Sequence, residues 1–243
     1  MPAAEACVKL AGPPTPITRT VGFLDDLKRQ ADEAKARQDT DLGQLERNAA
    51  LTDAAGKAAA AYFSTLMVQL NVLRPQSKAT YRLDKRHAFP NLPMTDFRTD
   101  MRRKRLRGKD VFDHTSLRWR LASGTRLELV KDFSPDIAQL ESRLRRGGVQ
   151  FHADTVRDPD TNKLREMRYA FQADFESAIH IRAEHDTARL CFECINLDGF
   201  ETVTIEFPAI EVGNGRMDEL ARWIMGEPSG FLKGGQALRR VEA

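Results

Sequence analysis

Seven cationic side chains lie within twelve consecutive positions in the middle of the chain, and their chemistry is the clearest in the sequence. They are Arg98, Arg102, Arg103, Lys104, Arg105, Arg107 and Lys109. Lysine and arginine at this density can neutralise phosphates and release counterions, which gives salt-dependent affinity for nucleic acid without sequence readout. The same run could bind an acidic protein or an anionic membrane surface, or fold onto acidic parts of its own chain. The run is therefore a candidate site for nucleic acid or another anion.

The positive charge of the protein is concentrated around this run. Residues 78–109 hold eleven Lys or Arg and three Asp, a net charge of +8, whereas the whole chain of 243 residues carries +3. The remaining residues therefore carry a net charge of −5. We expect a polyanion to be attracted to this segment rather than to the protein as a whole.

A second set of polar residues is expected on one face of neighbouring β-strands. Residues 164–175 and 177–185 alternate apolar and polar side chains with a period of two, which is typical of strands with one buried face. Together with the preceding strand, their polar faces hold His152, Glu166, Arg168, His180, Arg182 and Glu184. Such a face can bind an anion or perform acid–base chemistry, but a solvated surface with cross-strand charge pairs is the commoner arrangement.

Four potential zinc ligands lie close together, because Cys191 and Cys194 follow His180 and His185. In a strand, side chains three or five positions apart point to opposite faces of the sheet. Neither the cysteine pair nor the histidine pair should therefore converge on one ion. We predict no metal site, with the cysteines serving as small buried side chains.

Motifs of the common catalytic and cofactor-binding sites are missing. The sequence has no Gly-x-Ser-x-Gly, no phosphate-binding P-loop and no His-Glu-x-x-His. Gly213 and Gly215 resemble the start of a dinucleotide-binding turn, but Asp218 stands where the third glycine belongs and would repel phosphate. The sequence thus predicts no catalytic residue and no cofactor, and it favours a protein that is not an enzyme.

Seven strands, mainly antiparallel, are expected between about residues 113 and 210. The four from Leu164 to Phe207 follow one another directly, and Asp198-Gly199 predicts a tight primed turn between the last two. Ser134-Pro135 starts an inserted helix that Gly147 ends, and a further helix follows Asn214. These two helices are expected to cover the apolar face of one seven-stranded sheet.

The N-terminal third of the chain has helical composition. One helix is expected from Val21 to about Arg47, with a narrow apolar stripe. Thr52 or Asp53 can cap a second helix that runs to Leu73, where Pro75 stops it. The sequence therefore predicts a helical hairpin over residues 18–75.

These elements define an α+β protein with five segments. They are a disordered arm over 1–17, the helical hairpin over 18–75, a basic linker over 76–112, the sheet domain over 113–227 and a tail over 228–243. Three cysteines do not make a disulfide framework, and the first sixteen residues lack the character of a signal peptide. No run of about 20 apolar residues is available to span a bilayer. Cytoplasmic localisation is expected.

Three functions remain open from the sequence. The leading hypothesis is a non-enzymatic cytoplasmic interaction or adaptor protein, with the helical hairpin mediating self-association or partner binding. The first alternative is a nucleic-acid-associated protein that uses residues 98–109. The second alternative is a small-ligand-binding or enzymatic domain with its site on or under the curved sheet.

Overall fold

A computed structural model describes residues 23–242, so the arm expected over residues 1–17 lies outside the described part. The described residues divide into two compact units, of which the first ends at Gly43 and the second begins at Gln44. The fold is mixed helix and strand, with antiparallel sheets, as the sequence predicts. Among the described helices, none combines the length and apolar character that crossing a membrane requires.

The predicted helical hairpin is wrong, because a single α-helix of 51 residues, α1, runs from Phe23 to Leu73. The proposed break falls between Arg47 and Thr52, and no glycine or proline interrupts the helix there. The Thr52 hydroxyl donates a hydrogen bond of 2.8 Å to the Asn48 carbonyl one turn earlier. A threonine can make this bond inside a helix, so its presence does not define a helix start.

Strands and shorter helices fill the rest of the described chain. The strands are β1 (Thr80–Arg82), β2 (Ala88–Pro90), β3 (Met94–Leu106), β4 (Lys109–Leu121), β5 (Arg126–Lys131), β6 (Phe151–Arg157), β7 (Leu164–Gln172), β8 (Phe175–Glu184), β9 (Arg189–Ile195), β10 (Glu201–Pro208) and β11 (Gln236–Glu242). The helices are α2 (Ser134–Arg146), a 3₁₀ turn (Ala209–Glu211) and α3 (Asn214–Ile224).

The single seven-stranded sheet is also wrong, because the expected strands divide between two sheets. The larger sheet has six strands in the order β11-β10-β9-β8-β4-β3, and the smaller has three in the order β5-β7-β6. Two strands outside the predicted set, β3 and β11, complete the larger sheet at its edges. Residues 76–112 thus contain strands where an irregular linker was expected, and the expected tail contributes an edge strand.

Asp174 holds the corner at which the chain passes between the sheets. Its Oδ1 accepts hydrogen bonds from the backbone N–H groups of Ser123 at 2.8 Å and Gly124 at 3.0 Å. Its other oxygen pairs with the Arg120 guanidinium. The turn after β4 and the turn before β8 are therefore tied together, so β5 and β7 can leave the larger sheet and pair with each other.

The tight turn expected at Asp198-Gly199 is replaced by a longer loop between β9 and β10. Asn196 has a φ of 57° and donates from its amide to the carbonyls of Arg146 at 3.0 Å and Glu176 at 2.7 Å. The Trp223 indole N–H donates to Asp198 at 2.8 Å. These long-range bonds fix the loop in a shape that its local sequence does not favour.

The hydrophobic core lies on one face of the larger sheet. Phe231 packs edge-to-face on Phe192 and Phe207, and it stacks on Trp223 of α3. Phe63 of α1 is fully buried in the same core. The smaller sheet is covered by α2, whose Leu140 and Leu144 are buried. The opposite face of the larger sheet carries the polar side chains of its strands.

Asp84 makes a polar anchor between the β1–β2 hairpin and the smaller sheet. Its carboxylate lies 2.6 Å from Lys131 Nζ and 2.8 Å from His87 Nδ1, and it accepts backbone bonds from Arg86 and His87. Burial alone would raise the pKa of Asp84, but the bonds from Lys131, the backbone and His87 hold it well below its usual range. The ionised carboxylate therefore stabilises the fold.

We expect Asp84→Asn to lower the free energy of unfolding at pH 7 by about 1–3 kcal/mol, because it leaves Lys131 without its partner. A depressed carboxyl pKa contributes stability that is present above about pH 4 and is lost as pH falls through the pKa of the folded state. Urea unfolding at pH 7 and pH 3 measures the effect. The exposed Asp132→Asn is the matched control. An equal loss of stability in wild type and Asp84→Asn between these pH values would contradict the assignment.

Candidate polyanion-binding site

The cationic run forms most of a β-hairpin. It occupies β3, the turn at Arg107-Gly108 and the start of β4. Both turn residues have positive φ, 49° and 79°, as a two-residue primed turn requires. Because successive side chains of a strand point to opposite faces, the run is divided between the two faces of the hairpin.

Four of the seven cations are engaged by their own chain. Arg103 donates to the Asp110 carbonyl at 2.9 Å, Lys104 lies 3.2 Å from Asp113, Arg107 lies 2.5 Å from Asp186 and Lys109 lies 3.5 Å from Glu46. These contacts support the alternative that the run folds onto acidic parts of the same protein. Binding of an external anion by these four would compete with those contacts.

The other three cations remain more available. Arg102 Nε lies 3.4 Å from Asp100, and both side chains are well exposed to solvent, so this ion pair is weak. Arg98 and Arg105 are exposed and have no ion-pair partner within residues 23–242. Arg98 and Arg102 are four residues apart on β3 and therefore face the same side.

Strand pairing brings further cations onto that side. Arg98 lies opposite Arg118, and Arg102 lies opposite His114. His114 is in turn opposite Arg182 on the next strand. Ser116, between the two pairs, lies opposite His180. We call this surface the basic face, and it comprises Arg98, Arg102, His114, Arg118, His180 and Arg182.

Two arginines of the basic face make no ion pair in the described part of the chain. Arg118 and Arg182 are exposed, and neither has a hydrogen-bond or ion-pair partner in the described part of the chain. Like charges directly opposite each other, such as Arg98 and Arg118, destabilise a strand pair. The same faces of these strands also carry carboxylates, namely Asp100 on β3, Glu184 on β8 and Glu193 on β9. An anion placed between these guanidinium groups would offset their repulsion.

The pKa of His180 is shifted by burial and by the charged residues around it. Its ring is half-buried, and burial is the largest cause that lowers its pKa. Arg118, His114 and Arg182 lower the pKa further, whereas Glu193 opposes them. The lowered pKa favours the neutral form of the His180 ring.

The six residues of the expected polar sheet-face site do not come together. His152 lies on β6 and Glu166 and Arg168 lie on β7, in the smaller sheet, whereas His180, Arg182 and Glu184 lie on β8 in the larger sheet. Arg168 pairs with Glu166 at 2.6 Å, and His152 lies 3.0 Å from Asp154. The smaller-sheet group thus behaves as a solvated surface with local charge pairs. Only His180 and Arg182 belong to the basic face.

Sequence reasoning did not identify Arg118 and His114 as site residues. The signal for Arg118 was present, since Leu117, Trp119 and Leu121 alternate with Arg118 and Arg120. That alternation places Arg118 on the polar face of its strand. Its position beside Arg98 and His180 depends on which strands pair and in which register.

The two cysteines of β9 point to opposite faces, as predicted. Cys191 lies opposite Arg182 and Glu206, whereas Cys194 lies opposite Ile179 and Val203 and is buried in the core. Burial raises the pKa of both thiols. Within residues 23–242, no group of three or more His, Cys, Asp or Glu side chains is placed to hold a metal ion.

Comparison of the chain with protein-family models, with curated proteins and with solved structures found no match.

Proposed function

We propose that this is a binding protein that takes up nucleic acid through the basic face, by contacts to phosphates. The observation that carries the proposal is the gathering of Arg98, Arg118 and Arg182 on three adjacent strands without acidic partners among the described residues. An exposed group of unpaired guanidinium ions is well suited to phosphate, which it can contact by bidentate hydrogen bonds.

The dimensions of the basic face favour a ligand with several phosphates. Arg98 and Arg102 are four residues apart, or about 13 Å along the strand, and the face extends about 10 Å across β3, β4 and β8. The face therefore spreads its cations over an area in which a ligand with several phosphates can contact more of them than a single phosphate can. A phosphodiester chain supplies charge at regular intervals over this length.

The composition of the face indicates recognition of the backbone rather than of the bases. None of its six side chains is Phe, Tyr or Trp, and the aromatic rings of these strands lie in the core. Proteins that recognise unpaired bases stack them on exposed aromatic side chains. We therefore expect little dependence on nucleotide sequence and a strong dependence on salt.

Titration of the full-length protein with a fluorescently labelled oligonucleotide tests this proposal. About three phosphate contacts predict that the logarithm of the binding constant falls with the logarithm of salt concentration, with a slope of about −2 to −3. Absence of binding to both DNA and RNA at 50 mM salt would overturn it. So would binding to anionic lipid vesicles but to neither nucleic acid.

A second candidate function is self-association through the first part of α1. Leu24, Leu27 and Leu42 are exposed apolar side chains, and the helical period places them on one stripe. Such a stripe is typical of helices that pack on a partner. Self-association, which the sequence assigned to a helical hairpin, would then use the single helix α1 instead. Repeated heptads of apolar residues are absent, so the stripe is narrow.

We expect that the double substitution Leu24→Glu with Leu27→Glu converts a dimer to a monomer if this stripe is the contact. Two charges on the stripe would have to be desolvated in the dimer, which is unfavourable by several kcal/mol. Light scattering after size-exclusion chromatography measures the mass. Ala36→Glu with Thr40→Glu adds the same charge at exposed positions on the opposite side of the helix and should leave the mass unchanged. A monomeric wild type, or a dimeric Leu24→Glu/Leu27→Glu variant, would exclude this role.

A further inference from the structure

His180 occupies the centre of the basic face, and charged or titratable groups approach it from both adjacent strands and its own. On β4, His114 and Arg118 flank Ser116, which lies directly opposite His180. On β8, Arg182 is two residues away on the same face. On β9, Glu193 lies directly opposite His180, and the Cys191 thiol lies opposite Arg182. Asp100, opposite Ser116 on β3, is the next carboxylate outward.

We propose that Arg118, His180 and Arg182 form a phosphate subsite in which binding of the phosphate is coupled to protonation of His180. This inference rests on the proposed function, since the phosphate is one from the nucleic-acid backbone. It adds a defined position on the basic face and a dependence of affinity on pH. His180 is thus a binding residue as well as part of the sheet surface.

Register supports the position of the subsite. Residues two apart on a strand face the same side about 7 Å apart, so His180 and Arg182 can approach the same anion. Arg118 is the diagonal neighbour of His180, because it lies two residues from Ser116. A diagonal pair on neighbouring strands is within reach of long side chains such as arginine. His180 therefore lies between Arg118 and Arg182, two residues along the strands from each, and the two long arginine side chains can extend from opposite sides toward a phosphate above the ring.

Charge explains the coupling and its sign. In the free protein, burial and the neighbouring arginines disfavour the imidazolium form of His180, although Glu193 favours it. A bound phosphate adds negative charge beside the ring and offsets the arginines, so the pKa of His180 rises in the complex. Affinity must then increase as pH falls through the interval between the free and bound pKa values. Above that interval, affinity no longer depends on this proton.

His114 is placed less favourably for this role. Its Nδ1 lies 3.0 Å from Asp113 Oδ2, so its own strand already supplies a carboxylate partner. Asp113 also lies 3.2 Å from Lys104. A phosphate near His114 would therefore lie beside a carboxylate that already occupies one side of the ring.

Titration with an oligonucleotide that has only internal phosphodiesters tests the subsite, because these groups do not change charge between pH 5.5 and 7.5. We expect the full-length protein to bind about tenfold more tightly at pH 5.5 than at pH 7.5 in constant salt. His180→Gln should lose most of the pH dependence that the wild type shows. His152→Gln, on β6 of the smaller sheet, is the control and should keep it.

A measurement without substitution provides a second test. NMR titration of the histidine ring signals in the wild-type protein should show that the pKa of His180 rises when the oligonucleotide is added. Binding that does not vary with pH, a pH dependence that survives in His180→Gln, or an unchanged His180 pKa would each overturn the subsite while leaving nucleic-acid binding intact. Absence of binding at every pH would instead overturn the proposed function.

Discussion

Charge reversal of Arg118 and Arg182 together is expected to weaken nucleic-acid binding by about 100-fold or more at 50 mM salt. Each guanidinium is expected to make a charge-assisted contact, and such a bond contributes roughly 1.5–3 kcal/mol. The Arg118→Glu/Arg182→Glu variant also places carboxylates where phosphate would lie. The slope of the logarithm of the binding constant against that of salt concentration should become less steep by about two. Fluorescence anisotropy over a salt series measures both quantities.

A matched control separates a specific site from the general charge of the protein. Arg126→Glu with Arg165→Glu makes the same change in net charge at two exposed arginines of the smaller sheet. Neither arginine lies on the basic face, so we expect this variant to change affinity by less than about threefold. Equal losses in the two variants would show that net charge, rather than the basic face, determines binding.

The engaged cations provide a further comparison. Charge reversal of Arg107 should weaken binding much less than reversal of Arg118, because Arg107 already pairs with Asp186 at 2.5 Å. Its loss would instead disturb the contact between the hairpin turn and the turn before β9. A larger binding defect for Arg107→Glu than for Arg118→Glu would move the proposed site to the hairpin tip.

The second large effect is expected in the core, where α1 packs on the larger sheet. We expect Phe112→Ala to lower the free energy of unfolding by about 3–5 kcal/mol, because it removes a fully buried ring and leaves a cavity. Chemical denaturation followed by circular dichroism measures the loss. Leu73→Ala, at an exposed position of α1, is the control and should have little effect.

Gly56 explains why the ring of Phe112 fits beneath the helix. A Cβ atom on Gly56 would lie 2.2 Å from Cδ1 of Phe112, which is far inside van der Waals contact. Helix propensity alone would make Gly56→Ala stabilising by about 1 kcal/mol. We expect the opposite, a loss of about 1–3 kcal/mol, because the ring and the helix must move apart.

A double-mutant cycle decides between these two effects. In the Phe112→Ala background the clash is gone, so Gly56→Ala should become neutral or stabilising. The coupling between the two positions should therefore be at least about 1 kcal/mol. If Gly56→Ala lowers the free energy of unfolding equally in both backgrounds, the two changes are additive. The close approach to Phe112 would then not be the reason that a side chain at position 56 is unfavourable.

Local patterns predicted many elements because the physics that forms them is local. Alternation identified β7 and β8 near their observed limits, and Ser134 to Gly147 marked α2. Each of these elements carries its own apolar period and its own start or stop signal. The sequence was misleading where such a signal had another role, as Thr52 did inside α1.

The strand β3 could not be predicted from its composition. Its residues from Arg102 to Arg105 are all cationic, so this part of the sequence shows neither an apolar face nor residues with high β-propensity. The strand lies at the edge of the sheet, where it pairs on one side only. Pairing with β4 supplies the missing stabilisation. The strand β11 is likewise stabilised by pairing with its neighbour, β10, rather than by an apolar pattern of its own.

By itself, the sequence determined the strongly basic segment, the α+β class and the polar or apolar side of individual strands, because these depend on composition and on the period of a single element. Only the tertiary structure decided that β5, β6 and β7 form a separate sheet beyond the corner at Asp174, which separates His152, Glu166 and Arg168 from β8. Only strand register placed Arg98 and Arg102 beside Arg118, His180 and Arg182. The physical reason is that a shift of one residue in the pairing would move all of a strand's side chains to the opposite face of the sheet. The pairing is therefore determined by packing in the whole core, which no single strand sequence contains.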